Sequence, residues 1–188
     1  MNAAFLAAAN PRPHTVLTLR LRPLCIGHWF LMQAHDCATA HGREASGFDD
    51  LLLSSFICSQ APSESEKDIN KRLSLFLFLR FLSFRARKLI WIIEARKFSS
   101  YIVYHRQMPS VSLAVHGRQM GSQEHWRLFA MLMKDFGMTK REALDTDFLT
   151  AHCLWAVEGE RGNNLSVVSD DECAVAREIA KEMRNGTV

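Results

Sequence analysis

Four cysteine and histidine side chains near the N-terminus have spacings that metal sites use. Cys25 and His28 are three residues apart, and Cys37 and His41 are four residues apart, so each pair alone could chelate a metal ion such as zinc. On one continuous helix, however, His28 and Cys37 would lie on opposite sides of the axis, and no helix-breaking residue lies between them. We therefore predict buried thiols and ordinary histidines, with a Cys/His metal site as an alternative.

Other patterns that would indicate catalysis are weak. His152 and Cys153 are adjacent within an apolar stretch, but no third partner is evident. The five cysteines form no CxxC pair, and the sequence has no HExxH motif, no GxSxG motif and no glycine-rich phosphate loop. The prediction is a protein that is not an enzyme and that has no catalytic residues and no cofactor.

The charge of the chain is concentrated in one segment. The chain has 188 residues, enough for one domain, and a formal net charge of +3. Between Lys67 and Lys97, nine Lys or Arg residues stand against two acidic residues, a local net charge of +7, which leaves −4 for the rest. A basic segment of this kind can contact a protein partner, an anionic membrane surface or phosphate groups.

In the N-terminal part, apolar and polar residues first alternate and later follow a helical periodicity. Residues 1–22 are predicted to be a flexible or extended arm, because they lack the basic start of a signal peptide and because residues 16–22 alternate like a short extended segment. Residues 23–104 are predicted to be a helical region. Its first helices run from about residue 24 to 40 and from 48 to 60, the second capped by Ser46.

The third predicted helix is the longest, from about residue 64 to residue 104. Charged residues interrupt its apolar stretch, so no membrane-spanning helix is expected. Because its apolar residues cover most of its circumference, the helix requires cover from its own domain or from a partner. For this helix we favour a role in the core or in protein binding. Binding to a membrane surface is the next alternative, and binding to nucleic acid is the last. The aromatic residues predicted to bind a partner are Phe76, Phe78, Phe81, Phe84, Trp91, Trp126 and Trp155.

The C-terminal part carries the clearest helix start signals. Residues 105–121 are predicted to be a linker, and residues 122–188 are predicted to form three helices that begin at Ser122, Thr139 and Ser169. The second of these helices is expected to continue without a break through Trp155. The elements predict a mainly α fold: a small irregular helical array with one long basic amphipathic helix and a possible short N-terminal extended segment.

A resemblance to a known family lies in residues 124–165 and 21–28. The residues that carry it are the helix led by Trp126, the run GMTKREAL at 137–144, the run AVEG at 156–159 and the run LRPLCIGH at 21–28. The first three resemble the helical C-terminal part of phage-type tail assembly chaperones, and the last is similar to the opening of long prophage versions. The long basic helix departs from this family.

The resemblance implies a non-enzymatic partner-binding role in the cytoplasm of a bacterial host cell. A chaperone of this family keeps the apolar, helical tape-measure protein soluble while the tail tube polymerises. The apolar helix face would then bind a helix of the partner, and the free protein would self-associate. The alternative is a peripheral protein that rests helix 64–104 on an anionic membrane surface.

Overall fold

The computed structural model describes residues 2–43, 47–63, 90–109, 111–113, 123–162 and 165–172, together with 174, 175 and 178. The predicted mainly α fold is confirmed. The helices are α1 (Ala3–Ala9), α2 (Ile26–Ala34), a 3-10 helix (Ala38–His41), α3 (Phe48–Ser59), α4 (Ile90–His105), α5 (Glu124–Lys134), α6 (Lys140–Asp145) and α7 (Phe148–Arg161). Two antiparallel pairs of strands accompany them: β1 (His14–Val16) with β2 (Leu19–Leu21), and β3 (Val111–Leu113) with β4 (Leu165–Val167). Within these ranges, no helix has the length and apolarity needed to cross a membrane.

Within the segment predicted to be a flexible or extended arm, the first residues form a helix. The side chain of Asn2 caps α1 by accepting a hydrogen bond from the backbone N–H of Ala4, and its amide nitrogen donates to the carbonyl of Val168. The N–H of Ala3 donates to Asp170. These contacts attach the N-terminus to residues more than 160 positions away, and sequence periodicity carries no information about such contacts.

The alternating segment at residues 16–22 is a hairpin turn and a second strand, not one extended segment. Leu17 and Thr18 have φ angles of 50° and 64°, which are the left-handed values that a two-residue type I′ hairpin turn requires. Val16, Leu17 and Leu21 are all buried. The prediction missed the turn because residues with a branched or bulky side chain rarely adopt a positive φ.

The helix predicted from residue 24 to residue 40 is broken. α2 ends at Ala34, Asp36 adopts a φ of 54°, and a separate 3-10 helix follows. Two hydrogen bonds hold the break: the N–H of Cys37 donates to the carbonyl of Met32, and the N–H of Ala38 donates to the carboxylate of Asp50 on α3. The expectation of a continuous helix was wrong because the second of these bonds is made with a distant segment.

The predicted limits of α3 are confirmed to within one residue, and its apolar residues Leu51, Leu52, Phe56 and Ile57 are buried. Its expected cap, Ser46, lies outside the described residues. Of the predicted helix 64–104, residues from Ile90 onward are helical, and residues 64–89 lie outside the described part.

The helix predicted to run from Thr139 through Trp155 is two helices. The predicted start at Thr139 is confirmed, and Thr139 forms a capping box with Glu142. However, α6 ends at Asp145 and α7 begins after Asp147, whose carboxylate accepts a hydrogen bond from the N–H of Thr150. The break frees backbone groups for distant partners: the N–H of Ile26 donates to the carbonyl of Thr146, and the N–H of Phe148 donates to the carbonyl of Leu24. These two bonds join the start of α2 to the α6–α7 junction.

The C-terminal start signals are confirmed where the structure describes them. Ser169, the predicted start of the third helix, forms a capping box with Glu172, whereas Ser122 lies outside the described residues. Within the segment predicted to be a linker, residues 111–113 form β3.

The hydrophobic core lies where α2, α3, α4, α5 and α7 meet. Its largest fully buried side chains include Met32, Leu52, Tyr101, Leu132 and Phe148. α5 packs on this core through Leu128 and Leu132, which leaves the opposite side of α5 for other contacts.

Candidate partner-binding surface

Three aromatic rings from α2 and α5 form a cluster at the surface. The ring centroids of Phe30 and Trp126 are 4.5 Å apart, and those of Phe30 and Phe129 are 5.6 Å apart, both in edge-to-face arrangements. Trp126 is 52% exposed, although Phe30 and Phe129 are half-buried. A tryptophan held in place by two rings but open to solvent is the kind of residue that contributes most to protein–protein binding.

The exposed side of α5 continues this cluster as an apolar stripe. At about 100° per residue, Trp126, Phe129, Ala130 and Met133 share an arc of roughly 100°, and Ala130 and Met133 are exposed. The small side chain of Ala130 lies at one edge of this arc, where it allows another backbone to come close. We call these four residues, together with Phe30, the aromatic stripe.

One border of the aromatic stripe is basic. Arg127 and Lys134 follow it around the helix circumference and are both exposed, whereas the other border turns into the core through Leu132 and the buried His125. A partner helix lying on the stripe would therefore face cations along one side only. This asymmetry favours a partner whose apolar face has acidic residues beside it.

The structure separates the residues that the sequence grouped as partner-binding. Trp126 lies in the aromatic stripe, Trp155 is half-buried on α7, and Trp91 is half-buried near the start of α4. The four phenylalanines of the group, Phe76, Phe78, Phe81 and Phe84, lie outside the described residues. The sequence prediction also missed Phe30, because its position on a buried helix gave no sign that its ring would reach α5.

Trp155 lines a small pocket beside a buried polar network. The pocket has a volume of about 90 Å³ and is also lined by Met108, Arg127 and His152. His152 is almost fully buried; its Nε2 lies 3.1 Å from Oε1 of Glu124 and its Nδ1 lies 3.3 Å from the carbonyl of Gln107.

Arg106 completes this network from the end of α4. Its guanidinium donates to Oε2 of Glu124 and lies over the ring of Trp29, 4.7 Å from the centroid. The hydrogen bond from His152, followed by that from Arg106, lowers the pKa of Glu124 to about 2. The network ties α4, α5 and α7 together. Neither Arg106 nor Glu124 was predicted from the sequence. Glu124 is an acidic residue in the first turn of a helix, beside a predicted linker, and nothing in the neighbouring sequence indicates that it would bind Arg106 and His152.

The network predicts a specific acid sensitivity. Because the folded pKa of Glu124 is below its usual value of 4.5, its contribution to stability is complete above about pH 4.5 and is lost as the pH falls toward 2. After allowance for screening at this partly exposed carboxylate, Glu124→Gln should lower the free energy of unfolding at pH 7 by about 1–2 kcal/mol and flatten its decline between pH 4.5 and pH 2.

Urea unfolding measured at several pH values tests this, with Glu158→Gln as the matched control. Glu158 forms a surface ion pair with Arg161 at 3.7 Å, so its replacement should change stability by less than about 1 kcal/mol. Equal effects of the two substitutions would show that the Arg106–Glu124–His152 network contributes no more than a surface pair.

The cysteine and histidine pairs near the N-terminus do not come together as a metal centre. Nδ1 of His28 accepts the backbone N–H of Cys25 at 3.0 Å, and its Nε2 lies 2.9 Å from the carbonyl of Gln60. Both ring nitrogens of His28 are thus engaged by the backbone, while His41 lies at the surface with its Nε2 3.0 Å from a carboxylate oxygen of Asp36. In the part of the chain that the structure describes, no three His, Cys, Asp or Glu residues are grouped to hold a metal ion.

The cysteine next to His152 does not have the properties of a nucleophile. Burial raises the pKa of the Cys153 thiol to about 11, so it stays protonated near neutral pH, and the thiolate is the reactive form. His152 directs its nitrogens to Glu124 and Gln107, not to this sulfur.

Known proteins give no further indication of what this surface binds. The chain matches no protein-family model, no curated protein and no solved structure. The aromatic stripe on α5, with its basic border, is therefore the feature from which a function has to be inferred.

Proposed function

We propose that this protein is a non-enzymatic binding protein of the phage tail assembly chaperone kind, acting in the cytoplasm of a bacterial host cell. Its aromatic stripe would hold an apolar helix of a partner such as a tape-measure protein. The observation that supports this most directly is Trp126, a large aromatic side chain that is half exposed at the centre of an apolar helix face.

The shape of the stripe suits a helix as the bound segment. Trp126, Ala130 and Met133 follow the i, i+4, i+7 spacing of one helix face, and a second amphipathic helix can pack its own apolar face against it. Arg127 and Lys134 would contact acidic residues at the edge of the partner's apolar face. These cations would speed association and fix orientation more than they would add affinity.

Co-purification with fragments of the tape-measure protein from the source genome tests this proposal. Trp126→Ser should weaken capture of the helical fragment at least about tenfold, because loss of an anchoring tryptophan commonly costs 2 kcal/mol or more. The matched control is Val157→Ser, which removes another exposed apolar side chain, 48% accessible on α7, and should leave capture unchanged. Failure of the unaltered protein to retain any fragment would contradict the proposal.

Two further measurements separate the alternatives. Under the proposal, the free protein self-associates through the same stripe, so sedimentation should show oligomers that Trp126→Ser dissociates. Flotation with vesicles containing anionic lipid at low salt examines the membrane-surface alternative. Flotation that persists after Trp126→Ser, without capture of the fragment, would favour the membrane instead.

A further inference from the structure

A second binding feature lies at the outer edge of strand β1, away from α5. In the β1–β2 hairpin, Val16 pairs with Leu19 across the two-residue turn, and Thr15 pairs with Arg20. Pairs in an antiparallel hairpin alternate between hydrogen-bonded and non-hydrogen-bonded, and the pair that closes a two-residue turn is hydrogen-bonded. The N–H and C=O of Thr15 therefore point away from β2, toward the outer edge.

α4 faces this outer edge. The backbone N–H of Leu17, two residues after Thr15 and so on the same edge, donates to Oε2 of Glu94 at 2.6 Å. Glu94 is only 8% exposed, and its other oxygen binds Lys97 at 2.6 Å. The edge is thus closed at Leu17 by a fixed carboxylate, whereas Thr15 has no backbone hydrogen-bond partner in the described part of the chain.

A groove of about 420 Å³ separates the edge strand from the helix. Residues 13–16 line one wall, and Ile93, Arg96, Lys97 and Ser100 line the other. The helix residues follow the i, i+3, i+4, i+7 spacing, so they lie on one side of α4. This side is next to the buried face of α4, whose Glu94 and Tyr101 contact Leu17 and His14. Each wall extends for about 10 Å, which is the length of three or four residues of extended chain.

The charge of the groove selects what can enter it. The ammonium of Lys97 is already paired with Glu94, but Arg96 is exposed and has no ion pair in the described ranges. Ile93, 58% exposed, gives the same wall an apolar surface. Among the described residues, the groove therefore offers a guanidinium without an ion pair, an apolar contact and, at Thr15, a strand edge without a backbone partner.

We propose that this groove binds an extended peptide segment that carries a carboxylate, added to β1 as a third strand. The backbone of Thr15 would exchange hydrogen bonds with the peptide, Arg96 would bind the carboxylate, and Ile93 would contact a neighbouring apolar side chain. Strand addition supplies main-chain hydrogen bonds to any sequence, and the walls of a groove supply specificity. The site is separate from the aromatic stripe and does not depend on it.

Two degenerate heptapeptide libraries test the proposal with the full chain. One has Asp fixed at its central position and the other has Asn there. Both have amidated C-termini and no other acidic residue, so only the first carries a carboxylate, and the immobilised protein should retain its peptides selectively. Affinity for the best retained peptide is then measured by fluorescence anisotropy. Arg96→Ala should weaken binding by roughly ten- to a hundredfold, the range for a charge-assisted hydrogen bond. Arg141→Ala, at an exposed arginine of α6, should leave it unchanged.

Thr15→Pro tests strand addition itself. Proline removes the outward N–H but no hydrogen bond of the β1–β2 ladder, and edge strands tolerate it. Binding should be lost in Thr15→Pro and kept in Thr15→Ala, with circular dichroism confirming the fold. Hydrogen exchange at the Thr15 amide of the unaltered protein should slow when the peptide is added, a readout that does not depend on how the proline variant folds.

Three results would overturn the proposal. Retention of neither library, or equal retention of both, would exclude a carboxylate-bearing peptide as the ligand of this groove. Loss of binding in Arg96→Ala without protection of the Thr15 amide would show that Arg96 binds a carboxylate without strand addition.

Discussion

Replacing Gly27 by alanine is expected to lower the free energy of unfolding by about 3 kcal/mol, the upper part of the range for overpacking a core. Gly27 is buried in the first turn of α2. A Cβ atom there would lie 2.4 Å from Cβ of Pro62 and 2.9 Å from the carbonyl oxygen of Leu144. The second contact is with backbone, which cannot rotate away, so α2 and α6 would have to move apart.

Urea unfolding followed by circular dichroism measures this effect. Gly47→Ala is the matched control, because a Cβ at Gly47 meets no atom of the described residues within 4 Å and its φ of −178° suits any residue. The control should change stability by less than about 1 kcal/mol, most of it from the helix N-cap position. Similar stabilities for the two variants would mean that α2 and α6 do not approach each other this closely.

Acid is expected to destabilise the protein well above the range in which carboxylates titrate, and His28 is a principal cause. Burial lowers the pKa of His28 from 6.5 to about 4, an effect that its hydrogen bond to Gln60 only partly offsets. Between these values the unfolded chain binds a proton that the folded protein excludes. The stabilisation is therefore complete above about pH 6.5 and is lost as the pH falls toward 4, by about 3 kcal/mol. Burial gives His105 the same direction of shift, also to about 4.

His28→Gln isolates this contribution. Glutamine does not titrate, and it cannot reproduce both hydrogen bonds of the imidazole, so the variant should be less stable than the unaltered protein at pH 7. The difference should narrow as the pH falls to 4, because only the unaltered protein loses stability at this position. His41→Gln, at an exposed histidine, serves as the control and should follow the unaltered protein. Parallel curves for His28→Gln and the unaltered protein would contradict the assignment.

The elements that the sequence predicted correctly are those with local causes. The limits of α3 follow from the apolar spacing of Leu51, Leu52 and Phe56, and the starts at Thr139 and Ser169 follow from capping boxes. A side chain that caps the backbone three residues away needs no tertiary partner, so these signals are complete within a few residues of sequence.

The breaks that the sequence did not predict have distant causes. Residues 35–37 are not helical, and directly after them the N–H of Ala38 donates a hydrogen bond to Asp50 on α3. Thr146 interrupts a good helical pattern where its carbonyl accepts the N–H of Ile26, 120 positions earlier. Helix propensity differs among most residues by less than about 1 kcal/mol, so one or two such bonds can outweigh it.

The candidate partner-binding residues divide in the same way. Trp126 and Trp155 share the apolar periodicity of helices, and periodicity alone cannot tell an exposed aromatic residue from one that faces a neighbouring helix. The position of α5 on the core exposes Trp126 and leaves Trp155 half-buried next to His152.

By itself, then, the sequence determined that the protein is mainly helical and where several helices begin, because those properties depend on neighbours along the chain. The tertiary structure decided where the helices break, which aromatic side chains remain exposed, and that Arg106, Glu124 and His152 meet. It also decided that the edge of β1 faces α4 across a groove. Each of these depends on contacts between segments far apart in sequence, and the free energy of such contacts appears only when the chain is folded.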